Sequence, residues 1–220
     1  MYRLRFLPSA LFVAGIMTTP PIVVGIIGGV ASGKSEVANQ LVQRGAARID
    51  ADALGHTLLN ENGSIRARVV ELLGPEVLDS SNKIDRKKIA TLVFGKDETS
   101  KKRLADLEAI LHPAIRLAAE ALLLKFRNEP TVRMIVLDAP LLVEADWVPL
   151  CDEVIFVDTP LAIRQSLASQ RGWSEDELER REAAQLSLAK KREAATKILV
   201  NDGTVEQLRT SVDTWNDDQN

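Results

Sequence analysis

Cysteine is almost absent: Cys151 stands alone among 220 residues. No intrachain disulfide can form and no cysteine-based zinc site can be assembled. This usage fits a reducing, cytoplasmic compartment. Histidine is nearly as rare, with only His56 and His112, so a His-rich metal centre is not expected. Five Phe, three Trp and one Tyr are too few for a base-stacking platform. Positive charge is not in excess either: 28 Lys and Arg stand against 31 Asp and Glu, a net charge of −3. Neither nucleic acid nor a membrane is therefore expected as a partner. Long apolar runs are missing too. Residues 1–16, MYRLRFLPSALFVAGI, look faintly like an export signal at Arg3 and Arg5, but Pro8 breaks the run. No clear small-residue cleavage site follows, and the run is far short of the roughly 20 residues that span a bilayer. An extension is expected there, disordered or lying ahead of a true start at Met17.

The remainder has an ordinary globular balance, 45% hydrophobic and 27% charged. The length suits one domain with a small insertion and a core that needs no staples. After Pro20-Pro21, the β-branched run Ile22–Ile27 reads as a strand buried on both faces. A Gly-rich loop, Gly28–Ser35, leads into a helix over 36–44. Further strands are expected at 47–49, 132–137, 153–157 and 197–200. The stretch 51–128 is mostly helical. Ser64 and Asp85 are its candidate caps, and a break is expected near His112-Pro113. Later segments carry the capping pairs Ser174/Glu177 and Thr204/Gln207 around a charged helical run over 174–196, and the tail 216–220 should fray. Alternating strands and helices imply an α/β fold, a parallel sheet wrapped by helices, with an inserted acceptor-binding subdomain at about 51–128 and a lid at about 161–190.

Gly28-Gly29-Val30-Ala31-Ser32-Gly33-Lys34-Ser35 matches G-x-x-x-x-G-K-[ST] in full, between a buried strand and a helix start. Such a loop converges backbone amides on a polyphosphate, and the helix N-terminus adds partial positive charge. Lys34 supplies a point charge to the β- and γ-phosphates, and the Ser35 hydroxyl is placed for Mg²⁺. The pattern calls for a nucleoside triphosphate without naming the reaction. A GTPase reading finds its strings in Asp52–Gly55 (D-x-x-G) and Asn82–Asp85 (N-K-x-D). The second follows no buried strand, however, and Asp85 reads better as a helix cap.

A kinase needs an acceptor site and a base. Asp50-Ala51-Asp52 ends the second strand, where ligands gather in open α/β sheets. An aspartate there can take the acceptor's proton, and Asp50 can instead cap a helix. Asp138 ends the run MIVLD, either holding Mg²⁺ through water or closing a turn. Leu141 and Glu144 follow, lining an acceptor pocket or closing the core. Most late cations, including Arg164, Lys190, Lys191 and Arg192, should form a solvated face paired with neighbouring glutamates. Arg171, at a helix junction before Gly172, is the candidate to close over the phosphates.

Together the strings GIIGGVASGKS (25–35), ARIDADALG (47–55), LEAILHP (107–113), VLDAPLLVEA (136–145), REAAQ (181–185, with Lys191 beyond) and ILVNDG (198–203) resemble the dephospho-CoA kinase family over roughly residues 22–215. The resemblance implies a P-loop kinase core with a five-stranded parallel sheet, a helical CoA-binding domain and a lid. It implies transfer of the γ-phosphoryl of ATP to the ribose 3′-hydroxyl of dephospho-CoA, with Mg²⁺ as cofactor. Asp52 falls on the family's proposed base, Asp50 beside it, and Asp138 on its post-strand aspartate. His112 falls in the CoA domain, where a buried, hydrogen-bonded histidine is the plain alternative. Asn201 and Gly203 fall beside the adenine, and residues 28–36 hold the phosphates. A monomer or weak homo-oligomer is expected; the rival readings are a kinase of another small hydroxyl acceptor and a GTPase-type switch. Three places depart from the family pattern. Ala31 stands for Gly and should keep a negative φ to offer its amide. Glu36 stands for Thr and must point away from phosphate. Ser166 and Gln170 stand where the lid carries arginines, with Arg164 and Arg171 offset from them.

Overall fold

The computed structural model describes residues 11–13, 16–95 and 97–219. Its first elements are two short antiparallel strands, β1 (Leu11–Val13) and β2 (Ile16–Thr18). Part of the extension expected over 1–16 is therefore paired, while residues 1–10 lie outside the described residues. Pro20 and Pro21 donate no amide to a ladder and separate this pair from the next strand, β3 (Ile22–Gly28).

In the first of two compact units, residues 1–49 and 123–220, β3 sits at the centre of a five-stranded sheet. The other strands are β4 (Ala47–Asp50), β5 (Met134–Asp138), β6 (Glu153–Asp158) and β7 (Lys197–Val200), in the order β4-β5-β3-β6-β7. β3 runs parallel to both β5 and β6, and β6 parallel to β7. β5 starts two residues later than its apolar run suggests, at Met134. Val24 and Ile26 of β3 share one face with Val136, Ile155 and Leu199. That face packs on α1 (Lys34–Gln43), through Val37 and Leu41, and on α9 (Val205–Asp217), through Leu208, Val212 and Trp215. Each such side chain contributes roughly 1.5–3 kcal/mol when fully buried. On the opposite face Gly25 admits a close neighbour: a Cβ there would lie 2.8 Å from both Cys151 Sγ and Leu142 Cδ1. Burial, with Asp152 nearby, pushes the Cys151 thiol up to about 12, so it stays protonated and unreactive at neutral pH.

Three helices follow β6 before the last strand. They are α6 (Leu161–Gln170), α7 (Glu175–Ala183) and α8 (Leu188–Glu193). The charged run expected as one helical stretch is thus split. Ser174 caps α7 through the Glu177 amide, and Ser187 caps α8 through the Lys190 amide. Thr204 and Gln207 close a complete capping box on α9 (Val205–Asp217). Asn216 is buried, so α9 continues into the segment expected to fray.

The second unit, residues 50–122, is helical. Asp50 caps α2 (Ala51–Glu61) by accepting from the Ala53 amide at 2.9 Å. Asn62, rather than Ser64, caps α3 (Gly63–Leu73): its Oδ1 accepts from the Ile65 amide, leaving Ser64 within the first turn. Asp85 caps α4 (Arg86–Val93) through the Lys87 amide at 2.9 Å. The string Asn82–Asp85 is accordingly a turn, with Asn82 at φ 58°, followed by a cap. α5 (Glu98–Arg127) passes through Pro113 without the break expected there. The proline removes one helical donor, but it is exposed, so the orphaned carbonyl of Ala109 can meet solvent. Leu59, Ile65, Val69, Leu73, Ile89 and Leu107 form this unit's core. No helix among the described residues is long and apolar enough to cross a membrane.

Candidate active site

Residues 28–33 carry the chain from β3 into α1. Gly33, at φ 91°, has no room for a side chain: a Cβ would lie 2.8 Å from Asn201 Nδ2. Ala31 contradicts the negative φ expected of it and adopts 57°. The loop's path demands a left-handed residue at this point, which costs a non-glycine roughly 1–2 kcal/mol. Packing of its methyl with Ala168 and Leu178 offsets part of that cost. The Ser32 carbonyl accepts two bonds, from Thr159 Oγ1 at 2.7 Å and Asn201 Nδ2 at 3.0 Å. The amides of Glu36 and Val37 both bond the Gly33 carbonyl, so those of Lys34 and Ser35 face out of the helix start. The Ser35 side chain is exposed in that first turn. Glu36 turns to Arg209 of α9 at 2.7 Å, away from the loop as required.

Lys34 reaches back over the loop, its ammonium 2.6 Å from the Gly29 carbonyl oxygen and 3.3 Å from that of Gly28. Burial, then the charge of Lys191, pulls its pKa down to about 8; Asp138 acts in the opposite sense, and Arg171 and Arg164 add to the lowering. Four cations and one carboxylate thus share the field of the loop. Among them, Lys191 is 1% exposed, in place of the solvated position expected. Its ammonium donates to Gln185 Oε1 at 2.7 Å and pairs with Glu144 Oε1 at 3.1 Å. Arg164 is buried as well, donates to the Thr159 carbonyl and pairs with Glu182. A Cβ at Gly29 would lie 3.1 Å from Arg164 Cδ, so this guanidinium arm lies directly on the loop. Desolvation lowers its pKa. Arg171 ends α6 in the open, its guanidinium 5.5 Å from the Trp173 ring centre.

Asp138, buried at the end of β5, pairs with Arg48 of β4 at 2.5 Å. Glu144 lies in the turn after β5, where its Oε1 also accepts from the Leu186 amide. Leu141 in the same turn is half-buried. Asn201 is buried at the end of β7 and spends its amide on Ser32. Gly203 precedes the α9 cap, and its missing side chain leaves space for Gln207 to close the box. Asp52 is exposed in the first turn of α2. His112 is exposed on α5, contrary to the buried, hydrogen-bonded alternative, because it falls on the face of the helix turned from the Leu107 core.

Sequence reasoning missed Thr159, Arg164 and Lys191. Nothing in the string Lys190-Lys191-Arg192 distinguishes the buried residue; only counting from the Ser187 cap sets which face of α8 turns inward. Thr159 carried a faint signal, a hydroxyl between a strand-ending Asp158 and a helix-starting Pro160.

The central strand, the loop it feeds and the lysine folded over that loop define a P-loop phosphotransferase. More narrowly, the chain belongs to the dephospho-CoA kinase family, whose model matches residues 22–207. A dephospho-CoA kinase from Rhodopirellula baltica is 37% identical over 191 residues, covering 87% of this chain and 88% of that one. Another, from Thermobifida fusca, is 36% identical over 190 residues, or 86% and 92% of the two chains. Among solved structures, the protein TT1252 from Thermus thermophilus is 32% identical, with a TM-score of 0.73 over 91% of this chain and 98% of its own.

Proposed function

We propose that this protein transfers the γ-phosphoryl of ATP to the ribose 3′-hydroxyl of dephospho-CoA, giving CoA and ADP in the last step of coenzyme A synthesis, and that it works in the cytoplasm. The observation that carries this reading is the Gly28–Ser35 loop, with Lys34 folded over it, inside a chain whose residues 22–207 match the dephospho-CoA kinase family.

The loop amides and Lys34 take the β- and γ-phosphates. Ser35 and Asp138 suit Mg²⁺, which binds through one or two protein oxygens and fills its shell with substrate phosphates and water. Bound there, the ion supplies charge neutralisation for the phosphates. Arg48 already holds one Asp138 oxygen, which fixes the carboxylate's orientation.

Asp52 follows the carboxyl end of β4 and serves as the base. It takes the proton of the 3′-hydroxyl as that oxygen attacks the γ-phosphorus in line. The bond from phosphorus to the β–γ bridging oxygen breaks and ADP departs. Lys34 and Arg171 neutralise the charge that spreads over the transferring group. Asp50 holds the start of α2 and so sets the position of Asp52. His112, Leu141 and Glu144 complete the acceptor contacts, while Asn201 and Gly203 stand on the adenine side. Asp52→Asn should retain ATP binding by calorimetry and lose at least a hundredfold in kcat. Near-normal kcat would remove Asp52 from the mechanism.

A further inference from the structure

Two buried side chains from different strand ends converge on one loop carbonyl. Thr159 follows β6, and its hydroxyl donates to the Ser32 oxygen at 2.7 Å. Asn201 follows β7, and its amide donates to the same oxygen at 3.0 Å. Both residues are buried, at 6% and 7% exposure, and Ser32 is fully enclosed. Asn201 is itself held by its backbone, whose N–H bonds the Asp158 carbonyl at 2.8 Å. The Ser32 carbonyl therefore cannot rotate without abandoning two donors that have no solvent to turn to.

This carbonyl belongs to the Ser32–Gly33 peptide. In a trans peptide the C=O and N–H point to opposite sides of one plane. Fixing the Ser32 oxygen towards β6 and β7 fixes the Gly33 N–H on the other side, away from the protein interior. Gly33 begins the α1 N-terminus, whose next two amides also face outward. A free peptide here could flip and present a carbonyl oxygen to the phosphates, replacing attraction by repulsion. Gly33 makes that hazard real, because it lacks the Cβ that would restrict rotation. Its missing Cβ is also what admits Asn201, whose Nδ2 would stand 2.8 Å from it.

We propose that Thr159 and Asn201 are positioning residues of the phosphate loop: by holding the Ser32 carbonyl they keep the Gly33 N–H aimed at the nucleotide phosphates. They touch neither phosphate nor acceptor in this role. The inference rests on the reading of residues 28–35 as the ATP site. It does not depend on which acceptor is phosphorylated.

The test compares Thr159→Val, Thr159→Ser and Asn201→Ala, with the double variant Thr159→Val/Asn201→Ala, in the full-length protein. ADP, pyrophosphate and adenosine are titrated by calorimetry, and KM values for ATP and dephospho-CoA are measured. Each lost bond should weaken ADP and pyrophosphate about fivefold, the factor that corresponds to about 1 kcal/mol. The double variant should lose more than the product of the singles, since either donor alone still holds the peptide. Thr159→Ser should restore ADP binding. In Thr159→Val, which removes a side chain assigned to neither the adenine nor the acceptor, adenosine binding and the KM for dephospho-CoA should stay within twofold of wild type. ADP and pyrophosphate affinities unchanged in the double variant would overturn the proposal. So would equal losses for adenosine and pyrophosphate in Thr159→Val, which signal general damage. If the double variant does not fold, the Thr159→Val and Thr159→Ser pair decides: equal ADP affinity in the two overturns the proposal. Wild-type protein that ignores dephospho-CoA while the variants still lose ADP would refute the acceptor assignment and leave this proposal standing.

Discussion

At the residue scale, Lys34 carries the clearest pH signature. Burial and the Lys191 charge bring its pKa from 10.5 to about 8. Between those values the unfolded chain holds a proton that the folded chain has lost. Stability therefore rises with pH across that window, and below it the folded protein bears the full cost of the crowded ammonium. ATP binding works in the opposite direction, because triphosphate favours the charged lysine. Above about pH 8, binding must take up a proton, so kcat/KM for ATP should fall by up to tenfold per pH unit. Initial rates at low ATP between pH 6.5 and 9.5 should show a descending limb near 8. In Lys34→Arg, whose guanidinium keeps its proton, that limb should vanish even though activity is lower. A flat wild-type profile to pH 9.5 would contradict the account. The residues that drew attention in the sequence divide along physical lines. Lys34, Ser35, Asp85, Thr204 and Gln207 act through local chain geometry, and a short string contains all of it. Lys191 and Thr159 depend on contacts with residues 47 and 127 positions away, which no local string can hold.

At the element scale, α5 shows where a local rule yields to packing. His112-Pro113 signals a break, yet thirty residues stay helical because apolar residues on both sides of the proline are buried. Leu107 joins the helical core on one side, and Ala119 is fully enclosed on the other. The proline still carries its cost, about 3 kcal/mol relative to alanine in a helix interior. Its restriction of the unfolded chain returns part of this. Pro113→Ala should therefore stabilise the protein by about 1–2 kcal/mol in urea unfolding, with an unchanged m-value. A loss of stability would mean that the proline shapes the helix in a way its neighbours require. The central strands β3, β5 and β6 were legible because buried β-branched runs have few other fates. Their ends were less so. β5 begins at Met134 rather than Val132, where the chain is still turning out of α5 through Asn128–Val132.

At the scale of the whole molecule, a net charge of −3 conceals a local cationic field. Lys34, Arg164, Arg171 and Lys191 come from three helices, α1, α6 with its C-cap, and α8, and Glu144 and Glu182 hold two of them in place. A summed charge is blind to such a cluster, since the glutamates that position the cations cancel them in the count. The fold class and the phosphate loop could be read from spacing alone. The cluster could not, because it exists only after α6 and α8 pack. The acceptor is the central claim, and one measurement reaches it directly. Purified protein with MgATP is offered dephospho-CoA, adenosine, nucleoside monophosphates, shikimate and simple sugars; ADP release is followed, and the product is read by ³¹P NMR. The account predicts rapid ADP release with dephospho-CoA alone and a single new monoester phosphorus on the ribose 3′-oxygen. Faster turnover with any other acceptor, or phosphate appearing at another position, would contradict it.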